Sequence, residues 1–362
     1  MLDVARKFFT MDYLKQYVKI LSFYKMNEFQ IHLNDNGFPQ FFGDDWNRTY
    51  AAFRLESERF PGLTAKDGSY SKQEFIDLQR MGLEYGVRII PEIDIPAHSL
   101  AFAHYKPEIA SRKYGMDHLD LYKKETYQFV DSLLDEYLSG DNPVFIGDLH
   151  IGTDEYNKKE AEQYRYFTDR YLKFVEKYGK NVRMWGGLKW LPGKTPVKAE
   201  GVTVNAWSYD WVDPVVSLQD GYKLINTCDT YLYIVPAAGY YRDFLDHQWI
   251  YEKWSPWIMN RKQTLPEGTP GVLGGMFAVW NDKCGNGISE QDVHLRSFPA
   301  MQVLAEKLWK GENKNVTYEA FAKLCKTTPE APGINLLGKV PAETALTEAG
   351  KELSFNGKEA VS

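Results

Sequence analysis

The sequence predicts an α/β fold, specifically a (β/α)8 TIM barrel. Short runs rich in β-branched and apolar residues alternate with longer amphipathic stretches through most of the 362 residues, and eight such runs can be counted. The runs are almost continuously apolar, which is typical of parallel strands covered on both faces. Ionisable and aromatic residues follow several of them, at the end where barrel enzymes build their sites. Together these observations favour a closed barrel over an open, doubly wound sheet.

The predicted strands are short and lie 20 to 60 residues apart. They begin near Leu2 to Val4, Phe29 to Leu33, Val87 to Ile90, Phe145 to Ile151, Val182 to Trp185, Val202 to Asn205, Lys223 to Asn226, and Met276 to Trp280. A helix is expected between successive strands, because parallel neighbours need a crossover connection.

Several of these helices carry start and stop signals. Apolar residues recur at the spacing of one helix face after Thr10. They are Leu14, Tyr17, Val18 and Leu21. Ser71 and Glu74 form a capping-box pair, and Gly86 marks the expected end of that helix. Ser289 similarly opens a last helix.

Two stretches are too long for a minimal barrel, residues 34–70 and 231–270. Both follow strands, so we expect them to be long βα loops at the catalytic face. The barrel is predicted to span residues 1–326, with the N-terminal edge of strand one truncated. Residues 327–362 contain Pro, Gly and Glu without periodicity, and are predicted to form a C-terminal tail or linker.

Composition excludes several classes of function. The 43 basic and 49 acidic residues give a net charge of −6 without a basic run, which argues against a nucleic-acid partner. No apolar stretch approaches the roughly 20 residues of a membrane span. The three cysteines, Cys228, Cys284 and Cys325, lack the spacing of a disulfide framework or zinc site. Aromatic residues make up 15% of the chain, which suits either a sugar-binding cleft or an ordinary barrel core.

Polar and aromatic side chains concentrate at the ends of several predicted strands. Strand two ends in His32-Leu33-Asn34-Asp35, strand three in the segment 91–98 (PEIDIPAH), and strand four in the segment 150–155 (HIGTDE). Tryptophans follow strands five, six and eight, namely Trp185, Trp207 and Trp280. Carboxylates, imidazoles and tryptophans are therefore predicted to meet at one mouth of the barrel.

The adjacent pair Asp154 and Glu155 suggests glycoside hydrolysis by an unusual division of labour. Retaining glycosidases usually hold two carboxyl groups about 5 Å apart on opposite sides of the sugar, typically from different strands. Adjacent residues suit another arrangement, in which Glu155 protonates the leaving group and Asp154 grips a substrate acetamido group that itself attacks the anomeric carbon. Two neighbouring acids are, however, also common on protein surfaces.

Structural interpretations stand beside these. The tryptophans could be core packing, and His32 and His98 could be satisfied core histidines. These histidines, with Glu92, Asp94 and Asp35, could also hold a metal ion, since carboxylates and imidazoles at strand ends serve hydrolases in that way.

Seven segments, in order, resemble glycoside hydrolase family 20, the β-N-acetylhexosaminidases. They are MLDVARKFF, HLND, PEIDIPAH, HIGTDE, the Trp-Gly-Gly of residues 185–187, AVWND and AEKLW. The resemblance runs from Met1 to about Lys310. It implies the barrel fold, a retaining mechanism and a substrate with terminal β-linked N-acetylhexosamine, with neither cofactor nor metal. It also implies a secreted, periplasmic or cell-surface bacterial location.

The resemblance also implies roles for residues around the acetamido group. Glu155 matches the general acid/base, Asp154 the residue that orients the acetamido nitrogen, and Tyr231 the catalytic tyrosine that hydrogen-bonds the acetamido oxygen. The walls of the substrate pocket match Trp185, Trp207 and Trp280.

Further matches concern the sugar hydroxyls and the support of the acid. Asp282 matches an acid that binds ring hydroxyls, and Tyr233 takes the place of a polar substrate-binding residue. Asp35 and His98 match a pair that tunes the catalytic acid. His150 is expected to brace the strand end beside it.

The chain departs from the family pattern at three points. Thr153 replaces the second of two glycines before the acidic pair, and Tyr233 replaces an Asp or Asn after Tyr231. The family's hydroxyl-binding arginine would precede Met1, and Arg6 is expected to be a structural arginine of the same motif.

Four functions remain open from the sequence alone. The first is an exo-acting glycosidase that removes terminal GlcNAc or GalNAc. The second, within the family, is a lacto-N-biosidase that releases a Gal-GlcNAc disaccharide. A catalytically silent glycan-binding barrel would need the tryptophans but not the acids, and a metal-dependent barrel hydrolase is the fourth.

Overall fold

The computed structural model describes residues 1–312 and 315–338. Its strands are β1 Leu2–Asp3, β2 Glu28–His32, β3 Asn34–Asn36, β4 Ala51–Phe53, β5 Arg88–Ile95, β6 Ala110–Ser111, β7 Gly115–Leu119, β8 Leu149–Gly152, β9 Val182–Trp185, β10 Val202–Ala206, β11 Lys223–Asn226, β12 Tyr233–Ile234, β13 Val272–Gly275 and β14 Ala278–Val279. Its α-helices are α1 Met11–Phe23, α2 Lys72–Glu84, α3 Leu100–Tyr105, α4 Lys124–Leu138, α5 Ala161–Glu176, α6 Pro214–Gln219, α7 Asp229–Leu232, α8 His247–Glu252, α9 Glu290–Lys310 and α10 Tyr318–Thr327. Short 3-10 helices span Pro39–Phe42, Pro107–Ile109 and Lys158–Glu160.

The main sheet closes into a barrel of parallel strands. Its order is β12-β14-β1-β2-β5-β8-β9-β10-β11-β13. β13 and β14 belong to one extended segment, whose first half pairs with β11 and whose second half pairs with β1. This segment joins the two ends of the sheet, so the predicted (β/α)8 barrel is confirmed. The eighth strand also begins earlier than the predicted Met276.

The helix signals found in the sequence are confirmed. The Thr10 hydroxyl caps α1 by accepting a hydrogen bond from the Tyr13 amide at 3.2 Å. Ser71 and Glu74 form a complete capping box at the start of α2, and Ser289 forms another with Asp292 at the start of α9. Such caps satisfy backbone amides that have no partner within the helix. Local chemistry therefore determines where these helices begin.

Two sequence predictions need correction. The fourth strand begins at Leu149 and not at Phe145, because residues 145 and 146 contact α2 instead of pairing with a neighbouring strand. There the Phe145 ring packs against Phe75 of α2, and the Ile146 amide donates to the Gln79 side chain at 3.0 Å. In addition, residues 186–201 join β9 to β10 without an α-helix. This connection is rich in proline and glycine, which disfavour a helix.

The two long loops carry structure of their own. Residues 34–70 include the antiparallel pair β3 and β4. Residues 231–270 include β12, which pairs with β14 at the edge of the sheet, and α8. Residues 110–119 add a second hairpin, from β6 and β7. These segments extend the wall around the end of the barrel where the predicted site lies.

The segment after α10 packs against the barrel as far as it is described. The Pro329 carbonyl accepts a hydrogen bond from Tyr24 at 2.8 Å, and the buried Glu330 carboxylate lies 3.3 Å from His294 of α9. The start of the predicted tail therefore contacts the barrel, through Pro329 and Glu330. The remainder of the predicted tail, 339–362, lies outside the described residues. In the described part of the chain, no helix has the length and apolarity required to cross a membrane.

Candidate active site

A line of three side chains at the carboxyl ends of the strands connects a buried carboxylate to an exposed one. Asp35 follows β2, His98 follows β5, and Glu155 follows β8. His98 Nδ1 lies 2.9 Å from the Asp35 carboxylate, and His98 Nε2 lies 3.2 Å from Glu155 Oε2. Asp35 is buried, whereas half of the Glu155 side chain is exposed. The imidazole therefore joins a buried carboxylate to one that can touch a ligand.

Electrostatics along this line favour a charged imidazole. Burial opposes the charge on His98, but Asp35 and Asp154 outweigh it and raise the pKa of His98 well above its ordinary value. Burial likewise opposes ionisation of Asp35, but Arg6 and His98 hold the pKa of Asp35 below its usual range. Burial acts to raise the pKa of Glu155, but the contact with His98 outweighs it, so the pKa of Glu155 is lowered. The site thus stores a proton on His98, next to Glu155.

Asp154 has a different environment from its neighbour Glu155. Only 11% of the Asp154 side chain is exposed, and its Oδ1 has no hydrogen-bond partner among the described residues. Its other carboxylate oxygen lies 3.9 Å from His98 Nε2. Burial raises the pKa of Asp154 to about 6. A buried acceptor oxygen without a partner is costly, and such oxygens are usually satisfied by a ligand or water.

The acidic pair sits on a sharply turned backbone. Gly152, Thr153 and Glu155 have φ values of +69°, +74° and +47°. This left-handed region is unfavourable for a β-branched residue such as Thr153, yet Thr153 adopts the conformation that a glycine would favour. A Cβ atom at Gly152 would lie 1.7 Å from the Asp94 carboxylate. The first glycine of the motif is therefore required by a close approach as well as by its φ angle.

We expect Gly152→Ala to destabilise the protein more than a matched substitution elsewhere. The left-handed backbone costs an alanine about 1–2 kcal/mol, and the clash with Asp94 adds about 1–3 kcal/mol of overpacking. Gly86→Ala is the control, because Gly86 has a similar φ of +71° and a Cβ atom there would have no other atom within 4 Å. Urea unfolding of both variants measures the difference, and equal losses would mean that the Asp94 contact is relieved without cost.

A polar layer lies beneath the site, inside the barrel. The Glu92 carboxylate accepts hydrogen bonds from Gln30 at 2.7 Å and from the indole of Trp185 at 2.6 Å. His32 Nδ1 lies 3.0 Å from the same carboxylate. Burial opposes ionisation of Glu92, but His32 outweighs it and lowers the pKa of Glu92 to about 2. His150 is fully buried beside this group, and burial lowers its pKa to about 4, so it supports the layer as a neutral ring.

The structure brings two of the three predicted tryptophans together. The rings of Trp185 and Trp280 lie 5.6 Å apart, and Trp280 is also 5.8 Å from the ring of Tyr233. Trp185 is fully buried, whereas Trp280 is 9% exposed. Trp207 is joined to this end of the barrel through its indole, which donates to the Gly186 carbonyl at 2.8 Å. Trp185, Trp280 and Tyr233 therefore form one aromatic cluster at the barrel mouth.

The two predicted tyrosines have separate surroundings. Tyr231 is half-buried on α7 and stacks on Trp249, with ring centroids 4.2 Å apart. Tyr233 is buried, and burial together with the charges of Tyr241, Asp229 and the acidic pair raises its pKa well above the ordinary value. In this structure it is Tyr233, and not Tyr231, that shares the electrostatic environment of Asp154 and Glu155.

Two residues that were not assigned to the site from the sequence belong to it. Arg6 is buried, with its guanidinium 2.6 Å from Asp35 and 3.5 Å from Asp282. Tyr240, from the long loop after β12, donates to Asp282 at 2.8 Å. Burial raises the pKa of Asp282, against the effect of Arg6. Arg6 thus supports Asp35 and Asp282 from within the protein, so its expected structural role stays a prediction; its position three residues after Asp3 in the MLDVAR motif was the available signal.

Two groups of acids and histidines lie close enough to bracket a metal ion. They are His32, Glu92 and Asp94, and Asp94, His98 and Asp154. Both nitrogens of His32 lie 2.7 and 3.0 Å from carboxylates, and both nitrogens of His98 lie 2.9 and 3.2 Å from carboxylates. Against the effect of burial, the nearby carboxylates raise the pKa of His32 and of His98 well above the ordinary value. A protonated imidazole lacks the lone pair that a metal ligand needs, so this set of side chains fits an ion-paired support better than a metal site.

The chain is similar to known proteins in sequence and in fold. Residues 1–312 match the family model described as glycosyl hydrolase family 20, catalytic domain. The chain is 26% identical to the β-hexosaminidase subunit B2 of Dictyostelium discoideum, over 89% of this chain and 58% of that protein. The fold resembles a β-N-acetylhexosaminidase from Bacteroides fragilis (TM-score 0.70, 20% identity, covering 90% of this chain and 68% of that one). It also resembles a mutant Streptomyces plicatus β-hexosaminidase in complex with GlcNAc (TM-score 0.70, 21% identity, covering 92% and 70%). The chain spans between 50% and 59% of the length of the first curated relatives.

Proposed function

The chain belongs to glycosyl hydrolase family 20, and on that basis we propose that it is a retaining, exo-acting β-N-acetylhexosaminidase. It removes terminal β-linked GlcNAc or GalNAc from glycans by substrate-assisted catalysis. The observation that carries the proposal is the contrast between two adjacent acids. Asp154 is buried with an unpaired oxygen, and Glu155 is half-exposed and linked through His98 to Asp35. Paired acids in different environments are typical of a site that divides its acid and base work.

In the first step the substrate supplies its own nucleophile. The carbonyl oxygen of the 2-acetamido group attacks the anomeric carbon, and the glycosidic bond breaks as Glu155 donates a proton to the leaving oxygen. The free Oδ1 of Asp154 accepts a hydrogen bond from the acetamido N–H and stabilises the positive charge of the cyclic oxazolinium ion. The dry environment of Asp154 strengthens that interaction.

The proton of Glu155 has a source in the same line of residues. A bound glycan covers the exposed half of Glu155 and desolvates it, which favours the protonated form. His98 Nε2, at 3.2 Å, can supply the proton, and Asp35 stabilises the imidazole. In the second step Glu155 accepts a proton from water, which attacks the anomeric carbon and opens the oxazolinium ring. Two inversions at that carbon amount to retention.

The remaining residues are suited to binding the sugar. Trp280 and Tyr233 offer aromatic surface beside the acids, and sugar C–H faces pack on such rings. Asp282, held by Arg6 and Tyr240, presents a buried carboxylate for ring hydroxyls. Trp207 and Tyr231 keep their proposed roles as a pocket wall and as the partner of the acetamido oxygen, the latter requiring Tyr231 to leave its stack on Trp249.

Release of a disaccharide is the second candidate, and one observation favours it. A cavity of about 410 Å³ has a lining that includes Arg6, Asn281, Lys283, Tyr50 and Phe42, although not Asp282 itself. Arg6, which lies 3.5 Å from Asp282, connects this cavity to the proposed hydroxyl-binding carboxylate. A cavity of this size offers room for a second sugar unit, as a lacto-N-biosidase requires.

Hydrolysis of p-nitrophenyl glycosides tests the proposal. We expect p-nitrophenyl β-GlcNAc or β-GalNAc to have a kcat/KM at least about 10³-fold above that of the β-glucoside, because the glucoside lacks the intramolecular nucleophile. Preferential cleavage of the p-nitrophenyl lacto-N-bioside would support disaccharide release. Comparable rates on the glucoside would contradict substrate assistance, and absence of turnover on all four would favour a glycan-binding barrel.

A further inference from the structure

The buried carboxyl of Asp94 has no part in the reaction proposed above, yet it faces the acidic pair. Asp94 lies near the end of β5 and is 1% exposed. Its carboxyl group lies within 4.8 Å of the Asp154 carboxyl group and of a His98 ring nitrogen. Oδ1 accepts a hydrogen bond from the Thr153 amide at 3.2 Å, whereas Oδ2 has no partner among the described residues. Asp94 thus has a buried oxygen without a partner in a carboxyl group that lies close to the Asp154 carboxyl group.

The position of Asp94 is tightly constrained. The Asn34 side chain holds its backbone from both sides, accepting from the Asp94 amide at 2.8 Å and donating to the Asp94 carbonyl at 2.8 Å. Gly152 presses against the carboxyl group, where even a Cβ atom would not fit. The backbone of Asp94 is therefore held in place, and its carboxyl group lies against the loop that carries Asp154.

The hydrogen bonds around the site show which acids are stabilised as anions. The Asp35 carboxylate is met by Arg6 at 2.6 Å, His32 at 2.7 Å and His98 at 2.9 Å. Glu92 is met by Gln30, Trp185 and His32. The Asp94 carboxyl group accepts a hydrogen bond from one backbone amide, and the charged His98 near it is already paired with Asp35 at 2.9 Å. A second buried anion beside Asp154 would lack compensation, which burial makes costly.

The charged and titratable groups around Asp94 come from several elements. They are Glu92 of β5, His32 of β2, His98 of the loop after β5, Asp154 after β8, and Tyr164 of α5. Burial and the charge of Asp154 raise the pKa of Asp94 well above its ordinary value, and the opposing effect of His98 is smaller. Electrostatics and hydrogen bonding therefore agree on the same protonation state.

We infer that Asp94 is a neutral carboxylic acid whose O–H group supports the anionic form of Asp154. A donor to a carboxylate favours its charged form, and a neutral buried acid can serve as such a donor. Asp94 is thus a positioning residue, which keeps Asp154 ionised and oriented toward an acetamido group. The catalytic consequence rests on the proposed function, but the protonation state of Asp94 does not.

Two variants of Asp94 distinguish the neutral from the ionised form by the direction in which the acid limb of the pH–rate profile moves. Burial raises the pKa of Asp154 to about 6, so under the proposed function we expect ionisation of Asp154 to form the acid limb of the pH profile of kcat/KM. Asp94→Asn retains a neutral donor, so we expect the limb to stay in place and the rate on p-nitrophenyl β-GlcNAc to remain within a few-fold. Asp94→Ala removes the donor, so the limb should move to higher pH by about one unit or more. A shift to lower pH in both variants would mean that an anion had been removed, and would overturn the inference.

Infrared spectroscopy tests the protonation state without activity. At pH 7.5 the wild-type protein should show a protonated-carboxyl carbonyl band that is absent from Asp94→Asn. Loss of a carboxylate band instead would overturn the inference. If the variant does not fold, the wild-type band is compared between the folded and urea-unfolded protein, and its absence from the folded protein would likewise reject a neutral Asp94. A wild type without turnover but with this band would refute the proposed function and leave the assignment of Asp94 intact.

Discussion

Glu155→Gln should lower hydrolysis most for substrates with poor leaving groups. A p-nitrophenolate leaves without protonation, whereas a sugar alkoxide needs the proton that Glu155 supplies. We expect a loss of roughly 10²–10⁴-fold in kcat on a β-linked GlcNAc disaccharide, typical of a general acid. The loss of kcat on the p-nitrophenyl glycoside should be clearly smaller. Steady-state kinetics on both substrates, with the wild-type protein in parallel, measure this difference.

A matched glutamate lies five residues along the same loop. The Glu160 carboxylate is occupied by Lys113 at 2.8 Å and Tyr122 at 2.6 Å, so it is already paired away from the acidic pair. Glu160→Gln should therefore leave the ratio of the two rates unchanged. If Glu155→Gln lowers both rates equally, the residue does not act as the acid. If Glu160→Gln reproduces its effect, disturbance of the loop, and not loss of a proton donor, is the cause.

Asp154→Asn should lower kcat by roughly 10²–10³-fold, the usual effect of removing one preorganised electrostatic contact to a developing charge. An asparagine oxygen can still accept the acetamido N–H, so we expect KM to change by less than about threefold. The positive charge of the oxazolinium ion, by contrast, loses its counter-charge. A stable thiazoline analogue of this intermediate should therefore lose more affinity than N-acetylglucosamine does. Kinetics and inhibition constants measure the two effects.

Asp282→Asn provides the opposite pattern as a control. This carboxylate is held by Arg6 and Tyr240 and is proposed to bind ring hydroxyls in both the ground state and the transition state. Loss of such uniform binding raises KM with little change in kcat. An unaffected turnover in Asp154→Asn would remove Asp154 from the mechanism. If Asp154→Asn raised KM with little change in kcat, as expected for Asp282→Asn, Asp154 would only bind the sugar.

The helix starts and most strands of this protein could be predicted from local sequence. The capping boxes at Ser71 and Ser289 are formed by side chains three residues apart, so no distant contact is needed to recognise them. The polar residues that follow each strand can also be recognised from the local sequence. They must meet at one face of the barrel, because the carboxyl ends of its parallel strands lie there. For that reason the approach of Asp35, His98 and Glu155 could be predicted without a structure.

Other features depend on residues far apart in the sequence and could not be predicted in this way. The strand expected at Phe145 begins later because α2 binds that segment: the Gln79 side chain accepts a hydrogen bond from the Ile146 amide, and Phe75 packs against Phe145. Arg6 enters the site because Asp282, from the other end of the chain's barrel segment, lies beside it.

Protonation states depend in the same way on distant groups. Asp94 and Asp154 are far apart in the sequence, yet burial and proximity make one of them unfavourable as an anion. The barrel, its helix starts and the identity of the acidic pair follow from the amino-acid sequence alone, because each is encoded within a few residues. Which tyrosine shares the environment of the acids, and which carboxyl keeps its proton, follow from the fold, because burial and charge are summed over segments that only folding brings together.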